Sequence, residues 1–209
     1  MCIYICGGDD KCVHRVPLLS GDDVDDDDVD ADETMWSVND EADGLSVTDT
    51  HNVLVTCPDV KKLKEFTTNG KLLRQIKLPQ EVVSPWHAIQ LSSGEFVVRH
   101  GDSTAPVNRV CLIDCDGHVV KSYGGSAGSG SQQMNAPAHL AVDRNGFVFV
   151  ADHNNRRVLL SPDLTYVREV VSREQLKWKP WRLYLDVDRR RLYIADDERW
   201  KGQGVVISY

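Results

Sequence analysis

The sequence predicts an all-β fold, a propeller built from four-stranded blades. Three observations predict it: a repeat of about 40 to 50 residues, four short apolar or alternating runs in each copy, and turn residues between those runs. A lone four-stranded sheet of this pattern has two apolar faces, so the copies have to stack on one another around an axis. The 209 residues are expected to form one domain of this kind.

The repeat is identified by a short opening pattern that recurs along the chain. In three copies a proline stands two residues before the matched position, and in two of them that position is histidine. The matched positions are Gly44, His87, His139 and Arg182. They are separated by steps of 43, 52 and 43 residues, and insertions over 101–108 and 124–130 explain the longer step. Such regular spacing indicates one structural unit per copy.

The copy after residue 136 shows the predicted blade best. Apolar or alternating runs mark its four strands, and Gly, Asn, Asp and Pro residues mark the turns between them. The predicted strands cover residues 139–143, 147–151, 157–160 and 166–171. Consecutive strands joined by such short turns form antiparallel hairpins, which is the connectivity of a propeller blade.

The same pattern divides the whole chain into blades. A partial first blade covers 1–38 and contains an acidic insertion at 20–34 that is expected to be disordered, since it has almost nothing apolar to bury. The other predicted blades are 43–78, 85–124, 137–171 and a partial last blade, 180–209.

These blades contain eighteen predicted strands, or about 4.5 blades, whereas a ring of six would need about 24 strands. We therefore predict an incomplete six-bladed propeller or a fragment of a longer protein, with open sheet edges. A five-bladed ring with irregular closure is the competing interpretation.

Particular residues in these copies resemble the NHL-repeat family. The resemblance rests on a first strand that ends in Asp143, an apolar strand that ends in Ala151-Asp152, and the run 154–158 with its Asn-x-Arg-Val pattern. The Tyr-Ile-Ala-Asp run at 193–196 is similar to the second of these, and the pattern is weaker before residue 85. The Gly-His and Trp-Asp signals of WD40 repeats are missing at matching places.

Composition and charge restrict the possible environments and partners. No apolar run is long enough to span a membrane, and the start of the chain has no secretory signal, so we expect a cytoplasmic protein whose six cysteines are free thiols. The net charge of −8 is concentrated in residues 22–33, which hold nine acidic and no basic residues. The remainder carries 24 basic against 23 acidic residues, so the overall acidity does not exclude a nucleic-acid partner.

One face of the predicted propeller collects the candidate binding residues. The connections between blades and the turns between second and third strands lie on this face, and tryptophan and arginine are typical of binding hot spots. Filling the space between blades is the alternative role of the tryptophans. The candidates are Trp86, His87, Arg99, Arg109, His139, His153, Asn154, Arg156, Trp181, Arg182, Arg199 and Trp200.

Metal binding is considered at three places. His87 and His139 are expected to approach the central channel, where the similar peptide-amidating lyases hold zinc, but the equivalent positions Arg182 and Gly44 supply no third ligand. The spacing of Cys2, Cys6, Cys12 and His14 is poor for structural zinc. The acidic insertion lacks the glycine and glutamate spacing of an EF-hand. No cofactor is therefore predicted, and zinc is the alternative.

The resemblance implies a recognition function. NHL propellers form the substrate-binding part of TRIM-type ubiquitin ligases, in which they bind proteins or RNA, and a separate RING domain recruits the ubiquitin-carrying enzyme. The scattered cysteines here do not form a RING. We therefore expect a non-catalytic platform, with a protein ligand favoured over RNA because the total charge is near neutral outside the insertion. The alternative is a metal-dependent enzyme, similar to amidating lyases or lactonases, that uses His87 and His139.

Overall fold

A computed structural model describes residues 2–7, 11–17, 34–161, 164–165, 168–196 and 204–208. These residues form eighteen strands and one 3-10 turn, His153–Asn155. The acidic insertion predicted at 20–34 lies, apart from Thr34, outside the described residues. No helix in the described part of the chain is long and apolar enough to cross a membrane.

The strands form five antiparallel sheets, each made of strands that are consecutive in the chain. The first sheet contains β1 (Cys2–Gly7), β2 (Cys12–Pro17) and β3 (Thr34–Ser37). The second contains β4 (Gly44–Val47), β5 (Val53–Cys57), β6 (Lys62–Phe66) and β7 (Leu72–Lys77). The third contains β8 (Pro85–Gln90), β9 (Phe96–His100), β10 (Asn108–Ile113) and β11 (Val119–Gly125). The fourth contains β12 (Pro137–Val142), β13 (Val148–Asp152), β14 (Arg157–Ser161) and β15 (Arg168–Val171). The fifth contains β16 (Pro180–Asp186), β17 (Arg191–Asp196) and β18 (Gly204–Ser208).

This arrangement is a β-propeller and confirms the predicted fold class. The sheets contain three, four, four, four and three strands in chain order, and the prediction of about 4.5 blades is close to the five blades present. Strand direction shows which strands the first blade contains. The short connection 38–43 joins β3 to β4, as a fourth strand is joined to the next blade, and β1, β2 and β3 are antiparallel. β1 therefore has the place of a second strand, and the described blade lacks a first, innermost strand. The six-bladed ring stays a prediction.

A repeated bulge positions the innermost strands. At the start of β8, β12 and β16 the pairing register shifts by one residue directly after the opening proline. Proline has no N–H to donate to the ladder and is tolerated at such irregular strand starts. The bulge re-aims the side chains that follow it. It therefore gives His87, His139 and Arg182 equivalent places beside the channel.

Apolar clusters lie between neighbouring blades. Four clusters join the five blades in order; for example, Phe149 of the fourth blade and Leu183 of the fifth belong to one cluster. Among the described residues no such cluster joins the last blade to the first. Instead, the first and last blades carry exposed apolar side chains, including Ile5, Met35 and Tyr184. The described ring is thus held by four inter-blade cores.

Gly44 allows the second and third blades to approach closely. A Cβ atom at this position would lie 2.3 Å from the Trp86 carbonyl oxygen and 2.9 Å from the Cα of His87. Both distances are far below van der Waals contact with backbone atoms, which cannot move independently. Only glycine therefore permits β4 to lie against β8 at this end of the channel.

Candidate functional site

The five blades surround a cavity of about 870 Å³ at one end of the channel. It is formed by the opening residues of the innermost strands, by the end of β1, and by the connections between blades. Eight of the predicted candidate residues line it. These are Trp86, His87, Arg99, His139, His153, Asn154, Trp181 and Arg182.

The other four predicted residues are not among the lining residues. Arg109 lies on β10, and Arg156 follows the 3-10 turn in a left-handed conformation with φ of 53°. Arg199 and Trp200 lie outside the described residues. The equivalence of His87, His139 and Arg182 across blades was predicted from the repeat, whereas Arg109 and Arg156 are on strands and turns farther from the axis.

His87 and His139 come together as the repeat predicts, but they stack. Their ring centroids are 4.2 Å apart and the rings are inclined by 19°. The His87 Nε2 lies 3.2 Å from the Leu45 carbonyl oxygen. Because a carbonyl only accepts, this nitrogen carries the proton and Nδ1 is an acceptor, buried without a partner. The His139 Nδ1 accepts from the Leu183 N–H at 3.4 Å, which places its proton on Nε2.

Both histidines are electrically neutral at physiological pH. Burial lowers the pKa of His87, and the neighbouring His139 and Arg99 lower it further. Burial also lowers the pKa of His139 to about 3, with Arg182 and Arg99 adding to the effect. Two cations and a low-dielectric setting both disfavour protonation. The two histidines therefore contribute neutral hydrogen-bonding groups, and no charge, to the wall of the cavity.

The pair does not form a zinc site with other described residues. A catalytic zinc requires about three converging ligands, whereas the rings stack and His87 uses Nε2 on a carbonyl. Among the described residues, one group of three possible ligands converges, Asp114, Asp116 and His118 on the exposed β10–β11 turn. There the Asp114 carboxylate accepts the backbone N–H groups of the other two, which is the pattern of a polar turn.

Arg99 is the most enclosed cation of the cavity. It is only partly accessible, its Nη1 donates to the Pro137 carbonyl oxygen at 2.8 Å, and its guanidinium lies 5.9 Å from the centroid of the Trp86 ring. Its Nε and the Trp86 Nε1 are buried without hydrogen-bond partners. Burial lowers the pKa of Arg99 to about 9, nearby Arg182 adds to this, and Asp43 opposes it. Arg99 therefore remains charged at neutral pH.

Trp181 and Arg182 line the cavity from the start of β16. Trp181 is 42% exposed, although it is a large aromatic residue, and its ring contacts His153 edge-on at 5.3 Å between centroids. The Arg182 guanidinium lies 5.1 Å from the centroid of the Trp181 ring. Such an accessible tryptophan beside a cation is the kind of surface on which binding energy concentrates.

Sequence reasoning missed two features of the site. Asp43 lines the cavity from the connection before β4, where nothing in the weak second copy marks it. Tyr4 and Cys6 line it from β1, and the pKa of the Cys6 thiol is raised to about 11, chiefly by burial. No candidate was predicted on β1, because a strand of this kind faces the axis only where the innermost strand of its blade is lacking.

A buried ion pair supports the rim of the cavity. Asp152 is 0% exposed and accepts from the Asn135 N–H at 2.8 Å, from Asn155 Nδ2 at 2.8 Å and from Arg157 Nε at 2.7 Å. Arg157 also donates to the Gln133 carbonyl oxygen at 2.8 Å. The pair thus ties the connection between the third and fourth blades to the turn before β14. The residue that makes it is Arg157, the arginine of the Asn-x-Arg-Val pattern, and not Arg156.

Fold and site together define a β-propeller with cationic and aromatic residues around the cavity at one end of its channel, which is called the channel mouth below.

Known solved structures share the fold at low sequence identity. Virginiamycin B lyase from Staphylococcus aureus is 11% identical with a TM-score of 0.63, over 98% of this chain and 65% of that one. A luciferin-regenerating enzyme is 13% identical with a TM-score of 0.65, over 98% and 67%. Hydrazine synthase from Kuenenia stuttgartiensis is 15% identical with a TM-score of 0.60, over 100% and 80%.

These similarities extend to the fold alone. The chain spans about 65% of the length of the virginiamycin B lyase to which it is similar. No protein-family model matches the sequence, and no curated protein does so.

Proposed function

We propose that the chain is a non-catalytic, NHL-like binding propeller whose channel mouth binds a segment of another protein. The observation that carries the proposal is the exposure of Trp181 beside Arg182, His153 and the cavity. A tryptophan that packs between blades would be enclosed, whereas this ring offers a large rigid surface to a ligand. The NHL-like assignment is supported by the Asp152–Arg157 pair, which uses the motif residues of the fourth blade.

Recognition of a protein by such a face resembles the role of the propeller in TRIM-type ligases. RNA is the second candidate ligand, because Arg99, Arg182 and Lys179 lie beside two tryptophans that could stack with bases. It is less favoured because Asp43 and Asp102 share the cavity and reduce its positive charge.

A metal-dependent enzyme receives less support. Some solved propellers of similar fold are named as lyases. Their sequences are only 10% to 11% identical to this chain, so the fold they share does not assign their chemistry to it. Arg182 and Arg99 are close enough to the stacked histidines to lower the pKa of His139, and such cations oppose a bound metal. Calorimetric titration with zinc tests this alternative, and binding tighter than micromolar would revive it.

The test of protein binding is selection of a random peptide library displayed on phage against the immobilised protein. Selected peptides are expected to bind the parent protein and to lose about tenfold or more in affinity to Trp181→Ala and Arg182→Glu, since hot-spot truncations cost about 2 kcal/mol or more. Arg144→Glu is the matched control, because Arg144 lies on the opposite face and pairs with Asp188.

The binding of labelled single-stranded RNA is measured with the same variants and with Arg156→Glu. RNA binding that falls steeply with salt and weakens in Arg156→Glu and Arg182→Glu would replace the protein ligand by RNA. Recovery of no peptide sensitive to Trp181→Ala or Arg182→Glu would overturn the proposed binding face.

A further inference from the structure

The cavity has an excess of positive charge. The described charged residues that line it are the cations Arg99, Lys179 and Arg182 and the carboxylates Asp43 and Asp102. With the histidines counted as neutral, their formal charge is +1. Lys179 is partly engaged, since its Nζ donates to Asn154 Oδ1 at 2.9 Å. The two guanidinium groups are therefore the main groups available to an anion.

Neither arginine is neutralised by a contact with a described carboxylate. No described ion pair within 4.0 Å includes Arg99 or Arg182. Asp102 is committed locally, because its Oδ1 accepts from the backbone N–H groups of Thr104 and Ala105 at 2.7 and 2.9 Å. Asp43 has a buried Oδ2 without a partner, and burial raises its pKa. The positive charge is thus left for a ligand.

Buried donors point to the same conclusion. The Nε of Arg99 and the Nε1 of Trp86 are both buried and make no hydrogen bond in the described structure. A buried donor without an acceptor costs free energy, and the cost is larger for a charged group. Both side chains line the cavity, so a charged acceptor that binds there beside the Arg99 guanidinium would offset part of the cost of its enclosure.

The charge of the cavity favours a carboxylate over more highly charged anions. A carboxylate carries one negative charge, which matches the formal charge of +1, and its two oxygens suit the planar guanidinium donors. The rings of Trp86 and Trp181 flank the arginines and offer contact to an apolar or aromatic body. We propose that the channel mouth binds a carboxylate group, held by Arg99 and Arg182, on a ligand with an apolar neighbouring group.

This inference rests on the proposed function, because the carboxylate is then part of the bound protein segment. Two sources have the same chemistry: the free C-terminus of the ligand and an aspartate or glutamate side chain. Selected peptides made with a free and with an amidated C-terminus distinguish them. Loss of binding on amidation identifies the C-terminus, and retained binding that is lost when an acidic side chain is replaced identifies the side chain.

The decisive probes are benzoate and its neutral, similarly shaped analogue benzamide, measured by calorimetry and ligand-observed NMR at constant ionic strength. Benzoate is expected to bind at least about tenfold more tightly than benzamide. Arg182→Gln should weaken benzoate binding about tenfold and leave benzamide binding little changed. Asp43→Asn should strengthen benzoate binding by up to about tenfold, because it removes a negative charge from a poorly screened site. Arg144→Gln, on the opposite face, is the control.

The stronger benzoate binding expected of Asp43→Asn cannot result from misfolding, because misfolding would only reduce binding. Equal binding of benzoate and benzamide, or benzoate binding unaffected by Arg182→Gln, would overturn the carboxylate site. Peptide binding at the mouth without preference for a carboxylate would overturn this inference and leave the proposed function standing. Benzoate binding that follows the predicted variants, together with failure to select any peptide, would support the carboxylate site and count against a protein ligand.

Discussion

Replacement of Asp152 by alanine tests whether the buried ion pair holds the rim of the cavity together. The change leaves the Arg157 guanidinium, whose side chain is 14% exposed, without its closest carboxylate; Glu169 is 3.8 Å away. It also removes the acceptor of the Asn135 N–H and one of the two acceptors of Asn155 Nδ2. Breaking a buried ion pair by removing one partner costs about 3–5 kcal/mol, mainly because the remaining charge is left buried.

Urea denaturation gives the free energy of unfolding for the parent and three variants, Asp152→Ala, Arg157→Met and the double variant. We expect Asp152→Ala to lower it by about 3 kcal/mol or more. The double variant should be clearly more stable than the sum of the single effects predicts, since no unpaired charge is left. A cost below about 1 kcal/mol, or additive single effects, would show that the pair does not support the rim as argued.

Two further predictions concern the packing and the titration of the fold. Gly44→Ala should lower the free energy of unfolding by about 1–3 kcal/mol, because its Cβ would meet the backbone of Trp86. Gly125→Ala is the control and should change this free energy far less, since the nearest atom to its Cβ would be 3.9 Å away. Equal effects of the two variants would contradict the close approach of β4 to β8. Burial lowers the pKa of His100 to about 4. Because this folded-state pKa lies below the unfolded value of about 6.5, the neutral histidine stabilises the fold above pH 6.5, and up to about 3 kcal/mol is lost as the pH falls towards 4. His100→Gln should therefore lose less stability than the parent in urea titrations between these pH values, and an identical pH slope would refute the assignment.

The blades were predictable because each local signal agrees with the fold. Proline at the start of an inner strand, glycine or asparagine in the hairpin turns and alternating apolar runs all specify the same four-stranded unit. The repeat offsets also predicted that His87 and His139 lie at equivalent places, and they do lie together. The stacking of their rings was not predictable, because it depends on ring rotation and on the Leu45 carbonyl oxygen, which the repeat does not specify.

The cavity was only partly predictable for a related reason. Residues on repeated strands, such as Arg182, inherit their position from the motif, whereas Asp43 comes from an irregular connection between blades. The choice between Arg156 and Arg157 depended on a turn. Arg156 adopts a left-handed conformation there, and the following Arg157 reaches back to Asp152. The backbone conformation of this turn thus decides which of the two arginines forms the ion pair.

A crystal structure of the protein with a selected peptide tests whether the channel mouth is the ligand-binding surface of this propeller. We expect peptide density across Trp181 and Arg182, with a carboxylate within hydrogen-bonding distance of a guanidinium of Arg99 or Arg182. Density on the opposite face, around Arg144 or Arg189, with an empty channel mouth would contradict it.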